Sequence, residues 1–161
     1  MNLSEYTAYD AVGLGQLVAA GEIRPVELAA LARSAADAVN PRINAVIEHW
    51  APEESDLATL PTGGPLAGVP FLIKDLAIQM AGRTNELGSR LAQGVVASGD
   101  SSLMSHFRRA GLVTIGRTTT PEMAFSTETE SALQGATGNP WDTRVSAGGS
   151  SGGSGAAVAA G

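Results

Sequence analysis

Apolar positions recur at helical spacing twice near the start of the chain. Val12, Leu14, Leu17 and Val18 share one side of a segment from Asp10 to Ala20, which predicts a short helix stopped at Gly21. Gly13 and Gly15 weaken that helix. From Arg24 to Val39 the stripe of Leu28, Leu31, Ala32 and Ala35 predicts a second, stronger helix. Pro25 suits its first turn, and Asn40-Pro41 is expected to end it. The period then changes. Ala45 to Glu48 reads as a short strand, and residues 51–65, with their acids, prolines and glycines, as a surface loop. Val69 to Leu76 is apolar except for Lys74 and Asp75, and its brevity with Val, Phe and Ile predicts a buried strand. Pro70 belongs near the start of that strand, where a missing N–H does least harm. Ser101 to Ala110 predicts a helix with Gly111 at C′, Leu112 to Ile115 a strand, and Pro121 to Phe125 a short helical turn. From Gly148 to Gly161 a Gly/Ser loop leads into an Ala-rich helix.

Helix, glycine, strand and helix again is the rhythm of an α/β layered structure. No internal repeat or domain boundary is evident. One hydrophobic core fits 161 residues that are 43% apolar and 16% charged. With aromatics at 4%, that core rests on aliphatic side chains and close Gly/Ala packing. These elements do not close a sheet, so the fragment is expected to leave strand edges and an apolar face bare.

A net charge of −6 with no basic cluster argues against nucleic-acid and anionic-membrane partners. Arg108-Arg109 is the densest basic spot and reads as a solvated helix end. The chain has no cysteine, which excludes disulfides and thiolate metal sites and permits a reducing compartment. Met1 to Asp10 is polar and acidic, unlike a secretory signal, and no apolar stretch is long enough to span a bilayer. A cytoplasmic protein is the expectation. His49 and His106 lack ligand-like spacing and are expected to pack rather than bind metal.

Two features carry candidate chemistry. Lys74 interrupts an apolar strand, where an ammonium is costly unless paired and where burial would make it a usable base. The alternative is that Lys74 and Asp75 sit at a strand end and meet water. The second feature is Gly148-Gly149-Ser150-Ser151-Gly152-Gly153-Ser154. A flexible linker is one reading, but a tight Ala/Val helix follows directly and Asn139-Pro140-Trp141-Asp142 precedes it. A phosphate loop is another, but no lysine follows Lys74 anywhere in the chain.

Together these features are similar to the amidase-signature family. Gly68-Val69-Pro70-Phe71-Leu72-Ile73-Lys74-Asp75 resembles that family's lysine strand, and Asn139 to Asp142 followed by Gly148 to Ser154 resembles its Gly/Ser signature. Gly116-Arg117-Thr118-Thr119-Thr120-Pro121-Glu122-Met123 resembles the segment that connects them. The likeness covers nearly the whole chain. It implies residues 1–161 as the N-terminal portion of a single amidase-signature domain, with a mixed central sheet covered by helices, incomplete here.

The resemblance further implies a Ser–cis-Ser–Lys triad and amide hydrolysis through an acyl-enzyme, with no metal or cofactor. Lys74 is then the lysine and Ser150 the bridging serine on a cis peptide, with Ser151 and Ser154 as supporting hydroxyls. Ala124, Phe125 and Ser126 are expected to line the acyl pocket, though Phe125 reads equally as an ordinary core aromatic. No serine follows Ser154, so the attacking serine is absent and the chain is expected to be inactive alone. Expected partners are a small-molecule amide and the complementary C-terminal part of the enzyme, with homo-oligomers open. In Arg83 to Ser89, Asn85 and Glu86 stand where many members carry a pair of threonines. Two rival readings remain: an amidotransferase of the A type that releases ammonia from glutamine, and a non-catalytic remnant that binds proteins through its exposed sheet edge.

Overall fold

The computed structural model describes residues 1–61 and 63–161. Thr62, within the predicted 51–65 loop, lies outside the described residues. The helical elements are α1 (Leu3–Tyr6), α2 (Ala11–Ala19), α3 (Pro25–Ile43), α4 (Glu54–Ala58), α5 (Ser102–Arg109) and α6 (Gly152–Ala159). The strands are β1 (Val46–His49), β2 (Pro70–Lys74), β3 (Val113–Thr118) and the short pairs β4 (Glu130–Ser131) with β5 (Gly135–Ala136) and β6 (Gly138–Asn139) with β7 (Asp142–Ser146).

Local sequence explains where the helices begin. Asp10 caps α2 by accepting the Gly13 N–H, and Ser101 caps α5 by accepting the Met104 N–H. Pro25 stands in the first turn of α3, and Glu27 reaches back to the Arg24 N–H at 2.9 Å. α3 does not stop at Asn40-Pro41 as expected. It continues through Pro41 to Ile43 and ends at Asn44, in the left-handed region at φ 48°. Pro41 falls in the last turns, and the carbonyl it leaves unpaired belongs to exposed Asp37, which water can reach. Asn40 also works against termination. Its side chain accepts the N–H groups of Ala45 and Val46 and donates to the Val46 carbonyl, so it ties the helix end to β1.

The central sheet has the order β1-β3-β2, with β1 antiparallel and β2 parallel to β3. It is the mixed sheet expected. Thr114 pairs with Phe71 and Gly116 with Leu72, so Ile115 is an extra residue on β3, and its carbonyl takes the Trp50 N–H instead. Beyond this bulge Arg117 stands opposite Ile73, and Thr118 opposite Lys74. Helix α3 lays Ala29 against Val113 and Ile115. Helix α5 brings Met104 onto Ile73 and Met80, with Phe71 and Phe107 packed 4.7 Å apart beside them. Gly111, at φ +82° after α5, reverses the chain where an added Cβ would press on Ala67.

The short helix α4 occupies part of the predicted 51–65 loop, and Arg108 joins it to the body by bonding Asp56 and Asp100. That makes Arg108 more than a solvated helix end. Helix α6 packs Ala156 against Ile43 and Ala45, which brings the Gly/Ser segment to the sheet. No helix among the described residues is long and apolar enough to cross a membrane.

Candidate active site

Lys74 ends β2 with its side chain partly buried. Its Nζ lies 2.8 Å from Ser150 Oγ and 3.1 Å from Ser151 Oγ, so strand and Gly/Ser loop meet although 76 residues separate them. The Gly149–Ser150 peptide bond is cis. Among the described residues no carboxylate pairs with Lys74; its partners are hydroxyls. Burial holds its pKa below the ordinary lysine range. The reading in which Lys74 simply meets water at a strand end does not describe this contact, and Asp75 is fully buried.

Ser154 sits one turn further along, on α6, with its Oγ 2.7 Å from Thr118 Oγ1. Glycines let this helix approach so closely. An added Cβ on Gly153 would overlap the backbone of Thr119, and one on Gly152 would overlap the Thr129 side chain. A flexible linker has no such need. The loop is gripped by hydroxyls on several sides. Thr120 Oγ1 donates to the Ser150 carbonyl at 3.2 Å, and Thr129 Oγ1 donates to the Gly148 carbonyl at 2.8 Å. Thr119 and Thr137 share a 2.6 Å hydrogen bond, and Thr137 also donates to the Asn44 carbonyl. All of these threonines are buried. Their side chains are chemically fit for it, since each hydroxyl both donates and accepts.

Side chains alternate across a strand, and the residue after Lys74 shows it. Asp75 Oδ1 accepts from Arg117 Nη1 at 2.7 Å and from the Glu86 N–H at 2.8 Å; its Oδ2 accepts from Gln134 Nε2 at 3.1 Å. Arg117 also pairs with Glu48 and Glu86, each at 2.7 Å. Burial pulls the Arg117 guanidinium down, but these carboxylates outweigh it and hold it above its ordinary value. Burial likewise pushes Glu86 up, and the Gly94 N–H and Arg117 more than reverse that. Glu86, where many family members carry threonine, thus serves as a counter-ion beneath the sheet.

The three residues expected to line an acyl pocket are placed differently. Phe125 is 90% exposed, so it is no core aromatic. Ala124 has φ +59° at the end of a single 3-10 turn over Glu122–Ala124, and Ser126 Oγ accepts the Glu128 N–H. None of the three lines the cleft that Lys74 opens into. They precede the 127–129 stretch that presses on Gly149. That cleft measures about 680 Å³ and is walled by apolar residues including Ala35, Val39, Val46, Leu72, Ile115 and Val158, together with Lys74, Ser151 and Ser154. A second cleft of about 580 Å³, beside Met1, Tyr9 and Glu22, holds none of these polar groups. His49 bonds Asp37 at 2.8 Å and takes the Arg33 Nε–H, while His106 is exposed on α5.

Known proteins share this arrangement of strand and loop. The model of the Amidase family matches residues 27–161. The 6-aminohexanoate-cyclic-dimer hydrolase of Paenarthrobacter ureafaciens is 45% identical over 156 residues, covering 94% of this chain and 31% of that protein. The indoleacetamide hydrolase of Bradyrhizobium diazoefficiens is 37% identical over 161 residues, covering 95% of this chain and 30% of that protein. A glutamyl-tRNA(Gln) amidotransferase of the A type, from Rhodopirellula baltica, is 38% identical over 149 residues, covering 88% of this chain and 30% of that protein. A solved structure of 6-aminohexanoate cyclic dimer hydrolase superposes with a TM-score of 0.86 at 41% identity, covering 96% of this chain and 32% of the other. The chain therefore spans about a third of the length of the curated relatives it matches.

Proposed function

This chain belongs to the Amidase family, and from that premise we propose that it supplies the lysine and the bridging serine of an amide hydrolase. The observation that supports this most is the 2.8 Å contact between Lys74 Nζ and Ser150 Oγ. In the proposed reaction neutral Lys74 takes the Ser150 proton, and Ser150 takes one from an attacking serine. That serine adds to the amide carbonyl and forms an acyl-enzyme as the C–N bond breaks. The proton returns along the relay to the departing amine, and water then releases the acid. Depression of the Lys74 pKa by burial favours the neutral amine that the first step requires.

Residues 1–161 form the N-terminal portion of a single amidase domain on this reading, and the attacking serine and oxyanion donors lie elsewhere. No serine follows Ser154, so these residues alone are expected to turn over no amide. The remaining portion of the domain covers the apolar cleft beside Lys74 and brings its serine to Ser150. The substrate is a small-molecule amide, and an acidic chain without cysteine suits the cytoplasm.

A chimera tests the reading. Residues 1–161 replace the matching third of the cyclic-dimer hydrolase, and amide hydrolysis is measured. A folded chimera is expected to be active and to lose about 10²–10⁴-fold in kcat on Lys74→Ala or Ser150→Ala. A folded but inactive chimera, or one indifferent to Lys74→Ala, overturns the proposal. The 38% identity to an amidotransferase favours one second reading. Glutaminase activity that appears only with partner proteins would support that one instead.

A further inference from the structure

We propose that Thr129 is a positioning residue for the relay: its single hydroxyl grips both sides of the turn that carries Ser150. The inference rests on the relay reading above. Thr129 Oγ1 donates to the Gly148 carbonyl at 2.8 Å and accepts the Gly152 N–H at 2.9 Å. Those two residues stand two positions before and two after Ser150, so one buried hydroxyl closes the turn with its one hydrogen and a lone pair. Thr129 is 1% exposed.

The glycines of the turn are shaped around this group. An added Cβ on Gly149 would lie 3.1 Å from Thr129 Oγ1, and one on Gly152 would overlap it. Thr129 is itself anchored, because its carbonyl accepts the Thr137 N–H at 2.9 Å and Thr137 is fixed by Thr119 and Asn44. The chain of contacts runs from the end of β3 through two threonines to the turn. Thr129 makes no hydrogen bond to Lys74 or to the Ser150 hydroxyl, so it acts on the relay only through the backbone it holds. Valine has nearly the same shape but would leave the Gly148 carbonyl and the Gly152 N–H without their partner. The turn would then open, Ser150 would leave Lys74, and water would reach the amine.

Lys74 is the sole lysine of the chain, so a ¹³C-lysine label reports on it alone. Its titration is followed by NMR in the 161-residue chain and in Thr129→Val, Thr129→Ser, Gly152→Ala and Ser150→Ala, with amide spectra confirming the fold. Thr129→Ser keeps the hydroxyl and is expected to titrate as the parent does. Thr129→Val and Gly152→Ala are expected to shift Lys74 upward, toward the ordinary value of about 10.4. Ser150→Ala removes an acceptor from the ammonium and is expected to shift it downward. If Ser150→Ala moves the titration and the other two do not, the positioning role is overturned and the relay stands. If Ser150→Ala moves nothing, the relay reading fails first. Should Thr129→Val not fold, Gly152→Ala and Thr129→Ser decide the matter by the same criterion.

Discussion

Lys74 and Arg117 sit at adjacent register positions of β2 and β3, yet the two cations are held in opposite ways. Arg117 is 5% exposed and bonds three carboxylates, those of Glu48, Asp75 and Glu86. Among the described residues Lys74 bonds only the hydroxyls of Ser150 and Ser151. Both lose water, and desolvation alone would lower both pKa values. Only Arg117 has carboxylates that reverse the effect, so it stays a charge, whereas Lys74 is left ready to give its proton up. One face of the sheet uses a buried cation to hold strands and loops together. The other surrounds a cation with hydroxyls alone, which weakens the fold slightly and prepares a base.

The largest expected effect breaks this contrast from the structural side. Arg117→Met leaves Asp75 buried without its cation and is expected to cost about 3–5 kcal/mol in urea unfolding. Lys74→Met removes a partly buried ammonium held only by hydroxyls and is expected to change stability by less than about 1 kcal/mol, in either direction. Equal losses in the two variants would show that the faces do not differ as described.

Acid sharpens the same comparison. Glu86 has a folded pKa held below its ordinary value, so its contribution is present above about pH 4.3 and is lost as pH falls through the folded value. Arg117→Met is expected to flatten that part of the urea-midpoint profile, and Lys74→Met to leave it unchanged. A parallel acid limb in parent and Arg117→Met would remove Arg117 as the cause.

The smallest effect lies at alkaline pH. Because the folded pKa of Lys74 is depressed, the unfolded chain binds more protons between that value and about 10.4. The stability of the parent relative to Lys74→Met is therefore expected to rise with pH through that window. Urea midpoints of the pair, read as a difference, check it; a difference that falls with rising pH contradicts it.

Much of this was legible in the chain. Lys74 stood out because a single ammonium broke an apolar run, and the Gly/Ser segment because a tight helix followed it. Arg117 and Asp75 were harder to read. Nothing local says that an arginine in β3 will meet a carboxylate 42 residues away, and the Ile115 bulge that fixes which face each takes is a product of pairing, not of sequence period. The threonines at 118, 119, 120, 129 and 137 gave a weak signal, being β-formers in a row or alone. Their hydroxyl roles depend on the loop they meet. The two hairpins of β4 to β7 went unpredicted because several of their strands are only two residues long, too short for alternation to register. Pro41 misled for a physical reason: it ends a helix only where the freed carbonyl is buried, and here Asp37 faces water.

The most direct test of the central claim is the ¹³C titration of Lys74 in the unaltered chain. A single transition below the ordinary lysine value of about 10.4 is predicted, as burial among hydroxyls requires. A transition at or above that value would mean that Lys74 is an ordinary ammonium and cannot serve as the base described.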